Sequence, residues 1–235
     1  MPDYNSEKER LEAEYKELFE ESANVIRREI EKFKPNYNCS SCTIPCDIKK
    51  VDIFQVFPPN CPFAAWQIKA LSYLTNEYSA KLKVTKKSIM QKKSEYSCNK
   101  CGDCCKLAIS ERSPMQLKQH AMRGDKFARE FISIYVPYES EEMAEAICPE
   151  YYHKLKELMD DNARLYFYYC RKLGADNLCS DYENRPDICK DYPLTAVKTL
   201  PDKCSFIPWQ ESVSKLAMSI QIKEKLIAFY KEKIG

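Results

Sequence analysis

The sequence predicts a mainly helical α+β protein with one small β-hairpin, and three observations support this prediction. Several long stretches place apolar residues at steps of three and four, which is the period of an amphipathic helix. The 235 residues include only four glycines but 13 prolines, so we expect helices joined at proline-marked corners. Residues 164–170 are instead rich in the aromatic side chains that favour strands.

The composition narrows the class of protein. The net charge is only +2 and charged residues make up 31%, so no strong affinity for nucleic acid or a membrane surface follows from the total. No apolar run approaches the ~20 residues that span a bilayer, and the polar start lacks the apolar core of a signal peptide. We therefore expect a cytoplasmic protein. In a reducing compartment, an odd total of 13 cysteines points to metal ligands or nucleophiles more than to disulfides.

Two helices are predicted in the first part of the chain. Residues 6–33 have helical periodicity, with Ser6 and Glu9 forming a capping box and Pro35 ending the helix. Residues 62–93 form a second amphipathic helix whose later part is rich in lysine. A basic run of this kind can bind nucleic acid or an acidic redox partner, but it is more often a solvated helix face. We favour the solvated face.

Between these helices lies an accessory cysteine block, Cys39-x2-Cys42-x3-Cys46 followed by the remote Cys61. A three-thiolate loop with a distant fourth cysteine resembles the general form of an iron–sulfur site. Four thiols this close can also hold one structural zinc, or they can be buried without a ligand role. Residues 51–57, within this region, fit either a short strand or an aromatic plug.

The densest cysteine cluster is Cys98-x2-Cys101-x2-Cys104-Cys105. Its spacing is that of the loop around one corner of an iron–sulfur cubane, and zinc also accepts C-x2-C pairs. Gly102 fits either metal, because a backbone that folds around an ion often needs a positive φ. The four adjacent thiols cannot all reach one tetrahedral centre, so further ligands are expected from elsewhere in the chain.

A second group of cysteines can supply those ligands. Residues 164–170 and 177–182 are predicted to pair as a hairpin that brings Cys170 and Cys179 together. Cys189 follows in a turn or short helix that begins at a proline. Together with the central cluster this makes seven thiols, more than one zinc or one cubane takes, so a second metal or some non-ligating thiols must account for the rest.

The remaining elements are short helices and a helical tail. Helices are predicted from Pro114 to about residue 120, over residues 127–134, 139–146 and 149–162, and over the tail 212–234. Cys148 precedes one helix start, where a thiol has a lowered pKa. It is a candidate for an extra ligand or a reactive thiol, with a small buried residue as the alternative.

The two cysteine runs resemble the CxxCxxCC cysteine-cluster family. The resemblance rests on CxxCGxCC at residues 98–105 and on the later run through Tyr182, Glu183, Arg185, Pro186 and Cys189, which ends in Asp191-Tyr192-Pro193. The resemblance covers roughly residues 95–195. The same stretch is similar, more distantly, to the amino-terminal part of flagellin lysine methylases. The resemblance implies a zinc- or iron-chelating domain, in which Arg185 would be a structural or supporting residue.

Three functions remain open at this stage. The first is an iron–sulfur protein, with one or two [4Fe-4S] clusters and a redox, electron-transfer or accessory role. The second is a structural zinc module that binds a protein partner. The third is a group-transfer enzyme similar to the flagellin lysine methylases, although the sequence has no glycine-rich nucleotide loop. We expect a protein or redox partner, no membrane, and no nucleic acid.

The predicted organisation has three parts within one compact protein. Residues 1–95 hold amino-terminal helices and the accessory cysteine block, residues 96–200 form the metal-binding core, and residues 201–235 form a helix that packs on the core.

Overall fold

The computed structural model describes residues 4–36, 50–158 and 164–234. It is mainly helical with one small antiparallel sheet, which confirms the predicted fold class. The helices are α1 (Tyr4–Glu31), α2 (Pro62–Tyr73), α3 (Ser79–Lys93), α4 (Asp103–Lys106), α5 (Pro114–Met122), α6 (Lys126–Ile134), α7 (Glu141–Ile147), α8 (Pro149–Glu157), α9 (Asp187–Lys190) and α10 (Ile207–Ile234). The strands are β1 (Ala108–Ser110), β2 (Tyr135–Pro137) and β3 (Tyr166–Cys170).

The chain divides into two compact units. We call residues 92–214, with residues 1–8, the cysteine unit, and residues 9–91 with 215–235 the helical unit.

The helical unit confirms both predicted amino-terminal helices. Residues 62–93 are helical throughout, as predicted, and a π-helical turn at Leu74–Tyr78 lies between α2 and α3. The hydroxyl of Ser79 donates to the Leu74 carbonyl at 2.8 Å, which satisfies an acceptor at the π-turn. The capping box predicted at Ser6 involves side chains outside the described part of the chain.

The core of the helical unit joins α1 to α2. The indole N–H of Trp66 donates to the Ile30 carbonyl at 2.9 Å, and both side chains are buried. Residues 51–57 form turns, so the strand alternative for this segment is wrong. Phe54 instead stacks on Tyr230 with ring centres 5.0 Å apart, as expected for an aromatic plug.

The sheet of the cysteine unit has the order β1-β3-β2, with both pairs antiparallel. The predicted strand over residues 164–170 is therefore confirmed as β3, but its neighbours come from elsewhere in the chain. Residues 177–182 return only as an isolated antiparallel bridge between Leu173 and Cys179. The return is short because Asn177 takes a φ of 62° and the Asp176 carboxylate accepts from the Leu178 amide at 3.0 Å.

The two faces of β3 pack on different pairs of helices. Successive strand residues point to opposite faces, so Phe167 joins the core beneath α7 and α8 while Tyr168 joins the core of α5 and α6. Both rings are almost fully buried. This packing fixes β3, and with it Cys170 at its carboxyl end.

The four predicted helices that follow the central cluster are confirmed, and each starts within two residues of the predicted position. A capping box at Ser113 opens α5, and the Asp125 carboxylate caps α6. The tail helix begins at Ile207, five residues earlier than predicted, and so includes the buried Trp209. Within the described residues, no helix combines the length and apolar character needed to cross a bilayer.

Candidate metal centre

The central cysteine loop, residues 98–105, depends on the conformation of Gly102. Its φ of 82° lies in the left-handed region, which confirms the predicted positive φ. A Cβ at this position would lie 2.8 Å from the Asn177 carbonyl oxygen, so no larger residue fits. This close approach brings the loop that leads to Cys179 against the central cysteine loop.

Four cysteine sulfurs accept a hydrogen bond from the backbone amide two residues further along the chain. The distance from the amide nitrogen to the sulfur is 3.4 Å both from Lys100 to Cys98 and from Lys172 to Cys170. Such amides place partial positive charge at sulfur, so they favour the thiolate that a metal requires. The sulfur and donor pairs are Cys98–Lys100, Cys101–Asp103, Cys170–Lys172 and Cys204–Phe206.

The later cysteines reach the same place from three different elements. Cys170 is the last residue of β3, and Cys179 lies in the antiparallel bridge. Cys189 lies in α9, which is held against α6 because the Ile188 amide donates to the Glu130 carboxylate at 3.1 Å. The three thiols are therefore positioned by the sheet, a turn and a helix.

These elements enclose one cavity of about 70 Å³, which we call the thiol cavity. All seven cysteines predicted for the core line it, and so does an eighth that the sequence left unassigned. The lining cysteines are Cys98, Cys101, Cys104, Cys105, Cys170, Cys179, Cys189 and Cys204.

The thiols surround the cavity and do not converge on one point. Across the residues that the structure describes, no three Cys, His, Asp or Glu side chains are placed to hold a single metal ion. The cavity itself is several times larger than the ~10–15 Å³ that one water-sized occupant needs. The donor set is all sulfur, which suits zinc and iron–sulfur centres and does not suit magnesium or calcium.

Burial and contacts between neighbouring thiols raise the pKa of several cysteines in the cavity. Hydrogen bonding with Cys104 raises the pKa of Cys105, and hydrogen bonding with Cys105 raises the pKa of Cys170. Burial raises the pKa of Cys189 to about 11, although a hydrogen bond with Tyr135 acts in the opposite direction. A metal that binds here must therefore displace protons.

Cys148 lies outside the thiol cavity. Its side chain packs against the core beneath α7 and α8. Burial and the nearby Asp103 carboxylate raise its pKa, so the predicted lowering at a helix start is wrong. The helix-terminus effect is outweighed because the thiol is partly removed from water, although a hydrogen bond with the Tyr151 backbone acts in the opposite direction.

The accessory block falls largely outside the described residues. Cys39, Cys42 and Cys46 are not among them, so a site formed with Cys61 stays a prediction. Cys61 itself is buried and precedes α2 in the helical unit.

Sequence reasoning missed Cys204, because no local spacing links it to the other cysteines. The structure joins its segment to the central loop through Asn99, whose side-chain amide donates to the Lys203 carbonyl at 2.8 Å. The Ser205 hydroxyl also donates to the Ser97 carbonyl at 2.6 Å. The hydrogen bond from the Phe206 amide, which resembles those at three other cavity cysteines, is visible only in the structure.

Comparison with protein families gives a match over the cysteine-rich part of the chain. Residues 97–205 match the model CxxCxxCC, described as a putative zinc- or iron-chelating domain. The matched range ends directly after Cys204, so it contains all eight cysteines of the thiol cavity. Comparisons with curated proteins and with solved structures give no match.

Proposed function

We propose that the thiol cavity holds an iron–sulfur cluster of the [4Fe-4S] type, because residues 97–205 match the CxxCxxCC family, whose domain is described as zinc- or iron-chelating. We further propose that the protein has a redox, electron-transfer or accessory role with a protein partner. The observation that carries the proposal is that eight thiols, drawn from distant parts of the chain, line one cavity. A cluster of several metals and sulfides needs ligands spread around a volume.

The residues of the chain would hold such a cluster in definite ways. Cysteine thiolates from the central loop, β3, the bridge and α9 would bind it, and the four backbone amides would orient their sulfurs. Tyr135, which is half-buried and lines the cavity, hydrogen-bonds with Cys189 and helps to exclude water. When bound, a [4Fe-4S] cluster supplies one-electron redox chemistry.

The cysteines of the chain also support a reducing compartment, which we propose to be the cytoplasm. The ten cysteines that the structure describes are all free thiols. Thiols packed this closely would oxidise to disulfides in an oxidising compartment, so they favour a reducing one.

The first test is elemental analysis of protein purified without oxygen. We expect iron and acid-labile sulfide in equal amounts, about four of each per chain for one cluster, with broad visible absorbance that dithionite bleaches. Cys105→Ser should lose most of both, whereas Cys148→Ser, which changes a similarly half-buried cysteine outside the cavity, should keep them. Zinc without sulfide or colour would contradict the proposal and support the structural zinc module.

The accessory block stays a second proposal, with Cys39, Cys42, Cys46 and Cys61 as ligands of another centre. In this case iron and sulfide should approach about eight per chain, and Cys61→Ser should remove half of them. Unchanged metal content in Cys61→Ser would exclude this second centre.

A further inference from the structure

Two cationic side chains at the thiol cavity share one aromatic ring. The Arg185 guanidinium carbon lies 3.5 Å from the centre of the Tyr182 ring, and Lys100 Nζ lies 4.2 Å from it. All three residues line the cavity. The Nε of Arg185 also donates to the Tyr182 carbonyl at 2.9 Å, which fixes the guanidinium in place.

Within the described chain, neither Arg185 nor Lys100 forms an ion pair with a carboxylate. Other cationic side chains of the cysteine unit do form such ion pairs. Lys106, Lys126 and Lys154 each pair with an aspartate. Two unpaired cations on one ring repel each other, and the ring quadrupole compensates only part of that cost. A negative charge within the cavity would therefore offset the repulsion between Arg185 and Lys100.

A third cation approaches the cavity through another residue of its wall. Lys198 Nζ lies 4.9 Å from the centre of the Tyr192 ring, and Tyr192 lines the cavity. Lys198 also forms no carboxylate ion pair among the residues described. Burial lowers the pKa of Lys198, and its interaction with Cys104 acts in the opposite direction. The group that favours the charged form of Lys198 is thus a cysteine of the cavity, Cys104.

We propose that Arg185, Lys198 and Lys100 are the counter-cations of the metal–thiolate centre and keep its reduction potential high. This inference rests on the proposed function and adds the way in which the chain tunes the centre. An iron–sulfur cluster with four thiolates is an anion, and reduction makes it more negative. Nearby positive charges therefore stabilise the reduced form more than the oxidised form.

The three cations should not contribute equally. Arg185 is half-buried and Lys198 is largely covered, so each acts through a medium of low dielectric constant. Lys100 is exposed, and solvent and salt screen its charge. We expect larger effects from Arg185 and Lys198 than from Lys100, and an effect from Lys100 that shrinks as salt is added.

The test is a redox titration of variants that either remove or keep each charge. Arg185→Gln and Lys198→Met remove it, whereas Arg185→Lys and Lys198→Arg keep it. Lys100→Asn removes the third charge at an exposed residue whose φ of 60° suits asparagine, so it should fold even if Lys198→Met does not. Lys190→Gln is the matched control, because Lys190 adjoins Cys189 but does not line the cavity.

We expect Arg185→Gln and Lys198→Met to lower the ratio of reduced to oxidised cluster at fixed potential by up to about tenfold, which is 59 mV for a one-electron couple. Lys100→Asn should shift it in the same direction by less. The charge-keeping variants and Lys190→Gln should stay near the parent protein. Iron and sulfide are measured in every sample, so that only fully loaded protein is compared.

Two results would overturn the inference. One is an unchanged potential in fully loaded charge-removing variants, and the other is an equal shift in Arg185→Lys and Arg185→Gln. If the protein holds zinc without sulfide, the iron–sulfur function fails, but the inference is still tested by chelator competition. Charge-removing variants would then bind zinc more weakly if the inference is correct and equally tightly if it is wrong.

Discussion

At the scale of single residues, Gly102 decides whether the central cysteine loop can close. Its φ of 82° and the nearby Asn177 carbonyl are two separate constraints. We expect Gly102→Ala to cost more than the ~1–2 kcal/mol of a left-handed non-glycine residue, because the new Cβ also displaces Asn177. Urea denaturation should show this loss of stability, and metal analysis should show reduced loading.

Gly124 provides the matched control for Gly102. Its φ of 94° is equally unfavourable for alanine, but a Cβ there would meet no atom within 4 Å. Gly124→Ala should therefore lose only the stability that a positive φ costs an alanine, and the protein should keep its metal. Equal losses of stability and equal metal contents in the two variants would contradict the role that we assign to the Asn177 contact.

Cys204 gives a second prediction at this scale. It lines the thiol cavity, its sulfur accepts the amide hydrogen bond seen at three other cavity cysteines, and its charge would interact with Cys101 and Cys98. Cys204→Ser should therefore lower the content of tightly bound metal by a measurable fraction, with an unchanged far-ultraviolet circular dichroism spectrum. Full metal content in Cys204→Ser would remove this residue from the ligand set.

At the scale of elements, α5 and α6 hold the sheet that carries Cys170, and Asp125 joins the two helices. Its carboxylate caps α6 by accepting from the Ala128 amide at 3.0 Å, and it pairs with Arg112 at 3.0 Å. His120 lies 3.7 Å from the same carboxylate. Asp125 thus connects a helix start to the end of the preceding helix.

The stability that Asp125 contributes should depend on pH. The Ala128 amide, followed by Arg112, lowers the pKa of Asp125 below its usual value of 3.8. A carboxyl whose folded-state pKa is depressed contributes stability above its unfolded-state pKa, and this contribution is lost as pH falls through the folded-state pKa. Asp125→Asn keeps a capping side chain but removes the charge.

We therefore expect the parent protein to be more stable than Asp125→Asn at pH 7, with a difference that narrows below about pH 4. The measurement is urea denaturation of both proteins across this range. The parent and the Asp125→Asn protein are both prepared with the additional substitution His120→Gln, so that this histidine does not contribute to the pH dependence of the difference in stability. A difference that stays constant from pH 7 to pH 3 would contradict the role of the Asp125 charge.

At the scale of the whole molecule, the metal should be part of the folding energy. Hydrogen bonding between neighbouring thiols raises the pKa of Cys105 and Cys170, and burial raises the pKa of Cys189, so these sulfurs bind protons more tightly when no metal is present. A ligand present at 100 times its Kd stabilises the folded protein by about 2.7 kcal/mol. Removal of the metal by a chelator and ferricyanide should thus lower the Tm by about 5 °C or more. Scanning calorimetry before and after removal provides the measurement.

The matched control is Cys105→Ser, which should fail to load metal in the first place. Chelator treatment should leave its Tm unchanged, at a value near that of the metal-free parent. A parent protein whose Tm does not respond to complete metal removal would show that the core folds without help from the centre.

The sequence by itself determined the features that depend on neighbours along the chain. Helix starts followed from Pro62 and Ser113, and the positive φ of Gly102 followed from its place between cysteines, because capping and backbone sterics act over a few residues. The seven core cysteines were also predicted from their spacing, from the predicted hairpin and from the resemblance to the CxxCxxCC family. These are local effects, and a local pattern is sufficient to predict them.

Only the tertiary structure decided the features that depend on residues far apart in sequence. It paired β3 with β1 and β2, brought Cys204 to the thiol cavity, and placed Lys198 against the cavity wall. It also raised the pKa of Cys148, because burial outweighed the local effect of the helix start. Strand partners, burial and unpaired charge all depend on which distant segments meet, and no spacing along the chain records this information.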